Sequence, residues 1–568
     1  MIPKYGTSIG ETRMSSEKVF ILGLDGASPV VIESLIRLGR LPAFNRLREE
    51  GVMGNLRTTI PPITGSAWSS FMTGQNPGKH GIFDFIRRKE GTYQLSPINA
   101  KRREGKSFWS WAGEAGKKVC VFNVPITYPP EPVNGIMVTG MLTPSNKADY
   151  TFPPSVAKDL DRITNGYRIH ITESYSKGKE ERFLDHLEEM TEKRQKAMEY
   201  LLGLEDWDVF IAVFDGTDVI QHELWHCSDP SHFRHDPSQR RFLDVIPKYY
   251  ERMDGILGEV MEKWDGPGRS LIVMSDHGAG PLRKLLYVNN FLMEKGFLKL
   301  KGGVLPSIRN LLFSQGVVPM AFYHLLLRIG LGRLKKKARF GQSESLLKPF
   351  FLSFEDVDWS RSKAYSIGST AGQVYINLKG REPMGTVQPG AEFEAVREAI
   401  IEALKLLVDG ETGSPVIEEI YRKEELYSGP HLSEAPDLVF LPKNLEIAAF
   451  GEYEFASHRI LDPSWGVSGS HRMDGLLMMK GSRIRKGVGI EGARIIDLAP
   501  TVLYLLDLPV SREMDGRMME DAFLDGTLEE TPVRWMAGAS LPYQPEDVYS
   551  ETEEEELKER LRSLNYLK

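Results

Sequence analysis

Short apolar runs recur along this chain and are separated by longer stretches with helical spacing. Four of these runs, at residues 19–24, 119–124, 209–214 and 271–274, are rich in β-branched or aromatic residues, as buried strands are. The segments between them mix apolar and charged residues in patterns typical of helices. Strands that alternate with helices predict an α/β fold with a mostly parallel central sheet.

Three other regions depart from this alternation. Residues 364–376 predict a β-hairpin with a glycine-containing turn, whereas residues 301–350 combine basic helical segments with glycine breaks, as an insertion does. The chain ends in a Glu-rich stretch with Lys and Arg towards its C-terminus, a charge order that suits the dipole of an exposed helix.

Residues that bind metals directly follow three of the predicted strands. Asp25 follows the first strand, Asp218 follows the third, and the pair Asp276 and His277 follows the fourth. Because ligands bind beyond the carboxyl ends of strands in open α/β sheets, we expect these side chains to share one site. A single Asp after a strand indicates only a turn or a helix cap, but the three together predict a metal site.

Asp218 and His222 are four residues apart, so they lie on one face if this segment is helical. A carboxylate and an imidazole in that arrangement suit Zn²⁺ or Mn²⁺. We take these two as ligands, in preference to Asp215 for the carboxylate. The nearby histidines at positions 226, 232 and 235 either form a metal site of their own or are ordinary polar loop residues, and we treat them as the latter.

A candidate nucleophile opens the segment TGSAWSSFMTG. This segment predicts a helix that begins at Thr64 and ends at Gly74. A hydroxyl beside the free N–H groups and the positive end of a helix suits phosphate chemistry. Plain N-capping by Thr64 is the alternative interpretation.

Three further residues are weaker candidates. The segment GVSGSHRMDG predicts a tight loop in which His471 completes a metal site and Arg472 meets a phosphate oxygen. Lys79 lies just past the nucleophile helix and either contacts substrate or caps a turn, and the sequence does not distinguish these two roles.

Composition narrows the class of protein. The chain has 568 residues, of which 41% are apolar, and this is enough for a sizeable core. Its net charge of −7 argues against a general nucleic-acid binder. The two cysteines, Cys120 and Cys227, cannot build a disulfide framework, and the N-terminus lacks the apolar run of a signal peptide. We therefore predict a reducing, cytoplasmic location.

Residues 317–331 form the most apolar later stretch, and basic residues follow at 333–339. The stretch is too short to span a membrane. An apolar helix with a basic flank is also typical of peripheral membrane contact. We favour a packed cap helix instead, because stable attachment takes two anchors and the sequence shows one.

The order of the motifs LGLDG, PPITGSAW, TDVIQH, SDHG and GSHRMDG resembles the alkaline phosphatase superfamily, above all its type I phosphodiesterase/nucleotide pyrophosphatase branch. The resemblance implies a three-layer α/β/α sandwich with a mixed, mostly parallel central sheet and inserted cap segments. We therefore expect one catalytic core at residues 18–525, with caps at about 151–200 and 301–350. A C-terminal extension with an acidic helix is expected at 526–568, in place of the three or four domains that length alone suggests.

The resemblance also implies two divalent metal ions, with Zn²⁺ favoured over Mn²⁺ or another ion. One ion is expected at Asp218, His222 and His471, and the other at Asp25, Asp276, His277 and the Thr64 oxygen. Thr64 would attack phosphorus and form a covalent phosphothreonine, while the N–H groups near Gly65 and Ser66 stabilise the phosphate oxygens. Nucleotide pyrophosphatases usually carry Asn three positions after the nucleophile, whereas this chain has Ala67.

Together these features predict a metal-dependent hydrolase of small phosphate esters, either diesters or pyrophosphates, with no nucleic-acid partner. A phosphotransferase or mutase and a phosphomonoesterase are alternatives on the same core. A membrane-surface binding protein on a degenerate hydrolase fold is an alternative from another class, against which the complete ligand set argues.

Overall fold

A nine-stranded sheet forms the centre of the molecule. The computed structural model describes residues 17–171, 175–318, 352–451, 455–538 and 548–563. In chain order the strands of this sheet are β1 (Lys18–Leu24), β2 (Val52–Arg57), β3 (Val119–Phe122), β4 (Gly135–Val138), β5 (Thr151–Phe152), β6 (Val209–Phe214), β7 (Arg269–Met274), β8 (Asp474–Lys480) and β9 (Val488–Arg494). Their order in space is β9, β2, β8, β7, β1, β6, β3, β4, β5.

The sheet is mixed and mostly parallel, as predicted. β8 runs antiparallel to both of its neighbours and β5 is antiparallel to β4, whereas the other neighbouring pairs are parallel. The four strands predicted from apolar runs are β1, β3, β6 and β7, and they lie side by side at the centre of the sheet. Strands buried on both faces need continuous apolar sequence, which is why these four were recognisable.

Helices cover both faces of the sheet, which confirms the three-layer prediction. Along β1, Phe20 and Leu22 enter one apolar cluster, and Val19 and Ile21 enter another on the opposite face. The helices whose apolar residues join the first cluster are Pro29–Arg37, Pro42–Glu50, Val156–Thr164, Glu180–Leu202, Gly216–Ser228 and Val245–Lys263. Those that join the second are Thr64–Thr73, Phe108–Glu114 and Leu498–Leu505.

A second unit is inserted between β7 and β8. Its four-stranded antiparallel sheet contains Ala364–Ser366, Gly372–Ile376, Leu438–Pro442 and Ile417–Arg422, so the predicted hairpin at 364–376 is present. A three-stranded sheet contains Ile447–Phe450, Lys284–Tyr287 and Leu461–Pro463. Helices of the unit include Val288–Glu294, Val304–Ser314 and Ala391–Lys405. A third large apolar cluster holds these elements together.

The two segments predicted as caps lie in different places. Residues 151–200 contain β5 and most of two helices whose apolar side chains pack in the first cluster of the main sheet. Residues 301–318 belong to the inserted unit, whereas residues 319–350 of the second predicted cap lie outside the described residues. In the described part of the chain, no helix is both long and apolar enough to cross a membrane.

The C-terminal helix, Glu551–Ser563, packs against the rest of the molecule. Leu557 and Leu561 are buried in the apolar cluster of the inserted unit. Just before this helix, Tyr549 donates its hydroxyl to the carbonyls of Ile98 and Leu142. The segment predicted as a C-terminal extension, 526–568, therefore includes a docked helix.

Candidate active site

The carboxyl ends of β1, β6 and β7 meet at one edge of the sheet. Asp25 follows β1, and its backbone N–H donates to Phe214 at the end of β6. Asp276 and His277 follow β7 after one residue. The side chains of all three are almost completely buried, so chain segments that are far apart in sequence place polar groups in one buried site.

The helix Gly216–Ser228 starts just after β6 and presents Asp218 and His222 to this edge. His222 Nε2 lies 3.2 Å from Asp218 Oδ1, as the spacing of four residues predicted. Asp215, the alternative ligand, instead forms an ion pair with Arg194.

The nearby histidines have other partners. His226 bonds the Ser468 hydroxyl through Nδ1, and His232 donates to the carbonyl of Leu282. His235 contacts the carbonyl of His226. His226 lies within the helix, and His226 and His232 are buried, so the prediction of polar loop residues is wrong for these two. Their bonds nevertheless go to groups outside the predicted ligand set.

His471 lies on a strand and not in the tight loop that its sequence predicted. The strand Gly469–Arg472 pairs antiparallel with Gly278–Pro281 and places His471 opposite Ala279. The small residues before His471 allow a close approach between chain segments: a Cβ on Gly469 would stand 2.3 Å from the carbonyl oxygen of Gln221. This approach brings His471 against the helix that carries His222.

Two groups of ligands result. In the first, which we call the His-rich group (Asp218, His222, His471), His471 Nε2 lies 3.0 Å from His222 Nε2 and 3.7 Å from Asp218 Oδ1. In the second, the Asp-rich group (Asp25, Asp276, His277), His277 Nε2 lies 3.3 Å from Asp276 Oδ2 and 3.8 Å from Asp25 Oδ1. The rings of His277 and His471 stack with centroids 3.7 Å apart, so the two groups adjoin.

Backbone carbonyls orient the imidazoles of the His-rich group. His222 Nδ1 lies 2.9 Å from the Gly469 oxygen, and His471 Nδ1 lies 2.6 Å from the Pro62 oxygen. A carbonyl only accepts hydrogen bonds, so each Nδ1 must donate, and a neutral ring then offers a lone pair at Nε2. Two such lone pairs at 3.0 Å repel each other unless a proton or a metal ion lies between them.

The carboxylates of the Asp-rich group each have one oxygen fixed. Asp25 Oδ2 accepts from Trp68 Nε1 at 3.0 Å, and Asp276 Oδ1 accepts from the N–H of Gly26 at 3.1 Å. The second oxygens, Asp25 Oδ1 and Asp276 Oδ2, accept no hydrogen bond from the described residues. Burial raises the pKa of both carboxyls, and repulsion from Asp276 and Asp218 raises the pKa of Asp25 further.

Buried carboxylate oxygens without a partner are suited to a bound cation. The ligand atoms of Asp25, Asp276 and His277 lie within 4.8 Å of one another, and so do those of Asp218, His277 and His471. Carboxylates with imidazoles are a donor set for Zn²⁺, Mn²⁺ and similar divalent ions. The chemistry of these side chains therefore fits divalent metal ions.

Gly26 is required by this geometry. Its φ of +63° is in the left-handed region, and a Cβ there would stand 2.7 Å from Asp218 Oδ1. Glycine lets the chain turn away from β1 while the backbone passes beside Asp218.

Thr64 does not act as a helix cap. The helix Thr64–Thr73 has Ile63 at its N-cap position and ends before Gly74, which has a left-handed φ of 66°. The Thr64 hydroxyl points into the ligand cluster, where Oγ1 lies 3.1 Å from His277 Nε2. This position removes the capping alternative and leaves the hydroxyl beside the predicted ligands.

The first turn of the nucleophile helix offers further polar groups. Its first backbone bond joins the Ala67 N–H to Ile63, so the N–H groups of Gly65 and Ser66 precede the helical ladder. The Ser66 hydroxyl is buried and has no hydrogen-bond partner among the described residues. These groups lie next to Thr64.

Lys79 and Arg472 are held by other parts of the protein. Lys79 forms an ion pair with Asp515 at 2.6 Å. Arg472 donates to the backbone carbonyls of Leu445, Ser470, His471 and Pro281. Both predicted substrate contacts therefore have protein partners in this structure.

Trp68, one helical turn after Thr64, belongs both to the core and to the candidate site. The indole is fully buried, and the absence of a side chain at Gly23 makes room for it: a Cβ there would stand 2.6 Å from the ring. Its N–H reaches Asp25, so the nucleophile helix and the Asp-rich group are joined. The spacing of four residues between Thr64 and Trp68, which puts both on one side of the helix, was the signal available in the sequence.

A protein-family model for type I phosphodiesterases/nucleotide pyrophosphatases matches residues 19–447. The chain belongs to this family. Members of the family are metal-dependent phosphoric ester hydrolases, and the match contains every predicted ligand except His471. No match was found among curated proteins.

Solved structures resemble the chain at low sequence identity. Human ectonucleotide pyrophosphatase/phosphodiesterase 5 is 14% identical, with 87% of this chain and 96% of that chain covered and a TM-score of 0.46. An inactive murine form of that protein in complex with AMP is 12% identical, with coverages of 87% and 95% and a TM-score of 0.47. Phosphonoacetate hydrolase from Sinorhizobium meliloti 1021, in complex with phosphonoformate, is 15% identical, with coverages of 87% and 95% and a TM-score of 0.48.

Proposed function

We propose that this type I phosphodiesterase/nucleotide pyrophosphatase family member hydrolyses small phosphodiesters or pyrophosphates, with Thr64 as its nucleophile. The observation that carries the proposal is the position of the Thr64 hydroxyl. It lies 3.1 Å from His277 Nε2, at the N-terminus of a helix and beside two adjoining groups of buried ligands. A hydroxyl needs activation to attack phosphorus, and these ligands are the means of activating it.

Two divalent ions are part of the proposal, with Zn²⁺ favoured over Mn²⁺. Asp218, His222 and His471 would hold one, and Asp25, Asp276, His277 and the Thr64 oxygen would hold the other. When bound, such ions lower the pKa of a hydroxyl and offset the negative charge of phosphate oxygens. The fit rests on carboxylates and imidazoles that converge with little exposure to water.

The chain's own residues then divide the reaction into two steps. Thr64 Oγ1 forms a bond to phosphorus, the bond from phosphorus to the leaving oxygen breaks, and the Thr64 proton ends on the departing group. Water next cleaves the phosphothreonine and restores the hydroxyl. During both steps the N–H groups of Gly65 and Ser66 donate to the phosphate oxygens, helped by the positive end of the helix.

A cytoplasmic location is part of the same proposal. Cys120 and Cys227 are both buried and unpaired, which is what a reducing compartment would favour.

The test is a comparison of Thr64→Ala with Thr73→Ala. Thr73 lies on the same helix, and its hydroxyl donates to the backbone of Ser69, so its loss leaves the ligand groups untouched. We expect Thr64→Ala to reduce turnover of a chromogenic phosphodiester about a thousandfold or more, and Thr73→Ala to retain most activity. Acid-quenched wild-type enzyme should contain a Thr64 peptide that carries the phosphoryl group together with the ester substituent retained from the diester, found by mass spectrometry.

The substrate panel should include phosphodiesters, pyrophosphates and monoesters, with an added acceptor alcohol to reveal group transfer. Normal turnover by Thr64→Ala would exclude Thr64 as nucleophile. Preferential transfer to the alcohol would replace hydrolysis by phosphotransfer as the activity.

A further inference from the structure

The helix Val304–Ser314 in the inserted unit turns apolar side chains outward. Val304, Leu305, Ile308 and Leu311 are between 47% and 80% exposed, and they recur at intervals of three and four residues along one side of the helix. We call them the outward face. A surface helix normally buries such a stripe, so an exposed one marks a contact surface.

Other residues attach this helix to the rest of the unit. Phe313 is buried in the apolar cluster of the inserted unit and meets Phe455 edge-on. Arg309 Nη1 donates to Asp356 Oδ1 at 2.6 Å. The helix is therefore docked through an ion pair and an aromatic residue while the outward face remains towards solvent.

The surrounding sequence is strongly basic. Between residues 295 and 343 the chain has ten Lys and Arg and no Asp or Glu, although its net charge is −7. Six of the ten lie outside the described residues. Three others, Lys295, Lys299 and Lys301, come just before the helix and are exposed, with Lys295 paired to Glu294 at 3.0 Å. Positive charge concentrated beside an apolar surface is complementary to an anionic lipid surface.

We propose that the outward face binds an anionic membrane surface, with lipid headgroups attracted by Lys295, Lys299 and Lys301 just before it. Stable peripheral attachment takes two anchors. The outward face supplies an apolar anchor, and the exposed lysines at 295, 299 and 301 supply an electrostatic one. The proposal is independent of the hydrolytic activity and of its metal ions.

The test is flotation of the full chain with vesicles. One set contains phosphatidylcholine alone, and the other contains phosphatidylcholine and phosphatidylserine in equal amounts. We expect the protein to float with the anionic set and to stay behind with the neutral set. Raising the salt to about 1 M, where the screening length falls to roughly 3 Å, should release most of it.

A triple variant tests the outward face itself. Leu305→Ser, Ile308→Ser and Leu311→Ser combined should reduce the partition coefficient for anionic vesicles about tenfold or more. Because the three side chains are exposed, the melting temperature should not change. The matched control replaces three apolar residues elsewhere on the surface by Ser, namely Val30, Leu38 and Leu406, which are at least as exposed. This control should bind vesicles like the wild type.

A second triple variant tests the charge. Replacing Lys295, Lys299 and Lys301 by Gln should weaken binding to anionic vesicles several-fold, whereas the same change at the exposed lysines 147, 158 and 486 should not. Absence of flotation with anionic vesicles, or equal flotation of wild type and outward-face variant, would overturn the proposal. A third outcome would also overturn the proposal. If light scattering shows a dimer that the outward-face variant dissociates, and no vesicle binding is seen, the face contacts a second copy of the chain and not a membrane.

Discussion

The His-rich and Asp-rich groups balance their buried charge in different ways. In the His-rich group, Asp218 lies 3.2 Å from His222. Although burial opposes both shifts, this contact lowers the pKa of Asp218 and raises the pKa of His222. In the Asp-rich group, burial and mutual repulsion raise the pKa of Asp25, and burial raises the pKa of Asp276.

The difference teaches which part of the site depends on a cation. The His-rich group sets one carboxylate against two imidazoles, whereas the Asp-rich group sets two carboxylates against the single imidazole of His277. Removal of metal should therefore disturb the Asp-rich group more. Four measurements test this comparison, beginning with the largest expected effect.

Removal of all metal should abolish activity. The Thr64 hydroxyl lies 3.1 Å from His277 Nε2, and under the proposed mechanism it is activated only while the ligands hold their ions. After chelation and dialysis, we expect phosphodiester turnover to fall to background and to return on addition of Zn²⁺ or Mn²⁺. Mg²⁺, which prefers oxygen ligands, should restore less. Turnover unaffected by the chelator would count against both metal sites.

Loss of one ligand from either group should remove one ion and leave the other. Asp25→Asn changes the Asp-rich group, and His471→Gln changes the His-rich group, with little change in side-chain volume. Elemental analysis of each purified variant should give about half of the wild-type metal content. Equal content in both variants and the wild type would show that the two groups do not bind separate ions.

The parts of this site that the sequence predicted are local. Asp276 and His277 stand at the end of an apolar run, and the spacing of Asp218 and His222 needs only one helix. The strand that carries His471 could not be read in this way, because its partner Gly278–Pro281 is almost 200 residues away in sequence. Glycines that look like loop residues are there because they permit close packing.

The same distinction between local and long-range features applies to the fold. The four central strands were predicted because burial on both faces makes each one continuously apolar. Strands β8 and β9 complete the sheet after the inserted unit and were not predicted. The chain returns to the sheet there through pairings that no local sequence pattern encodes. The bond from Trp68 to Asp25 is of the same kind.

Neutralising one carboxylate in each group should have opposite effects on the metal-free protein. The pKa of Asp218 is lowered in the folded state, so its charge stabilises the fold at pH values above 3.8, the ordinary pKa of the group. Asp218→Asn should therefore lower the free energy of unfolding by about 3 kcal/mol at neutral pH. The pKa of Asp25 is raised, so its charge destabilises the metal-free fold at neutral pH, and Asp25→Asn should stabilise it. Urea unfolding in the presence of chelator measures both, and destabilisation by both variants would contradict the comparison.

The smallest expected effect comes from Trp68→Phe, which removes the hydrogen bond to Asp25 and keeps a ring in the core. Asp25 would then be free to rotate away from the position its partners require. Since loss of such an outer partner typically costs about 10- to 100-fold in metal affinity, we expect that decrease at the Asp-rich group, measured by competition with a chelating dye. Trp109→Phe is the matched control, because Trp109 is equally buried and donates instead to Glu131 at 2.7 Å. If both variants bind metal equally well, the indole N–H of Trp68 has no part in holding Asp25, and the Asp-rich group is oriented by Gly26 and the strand ends alone.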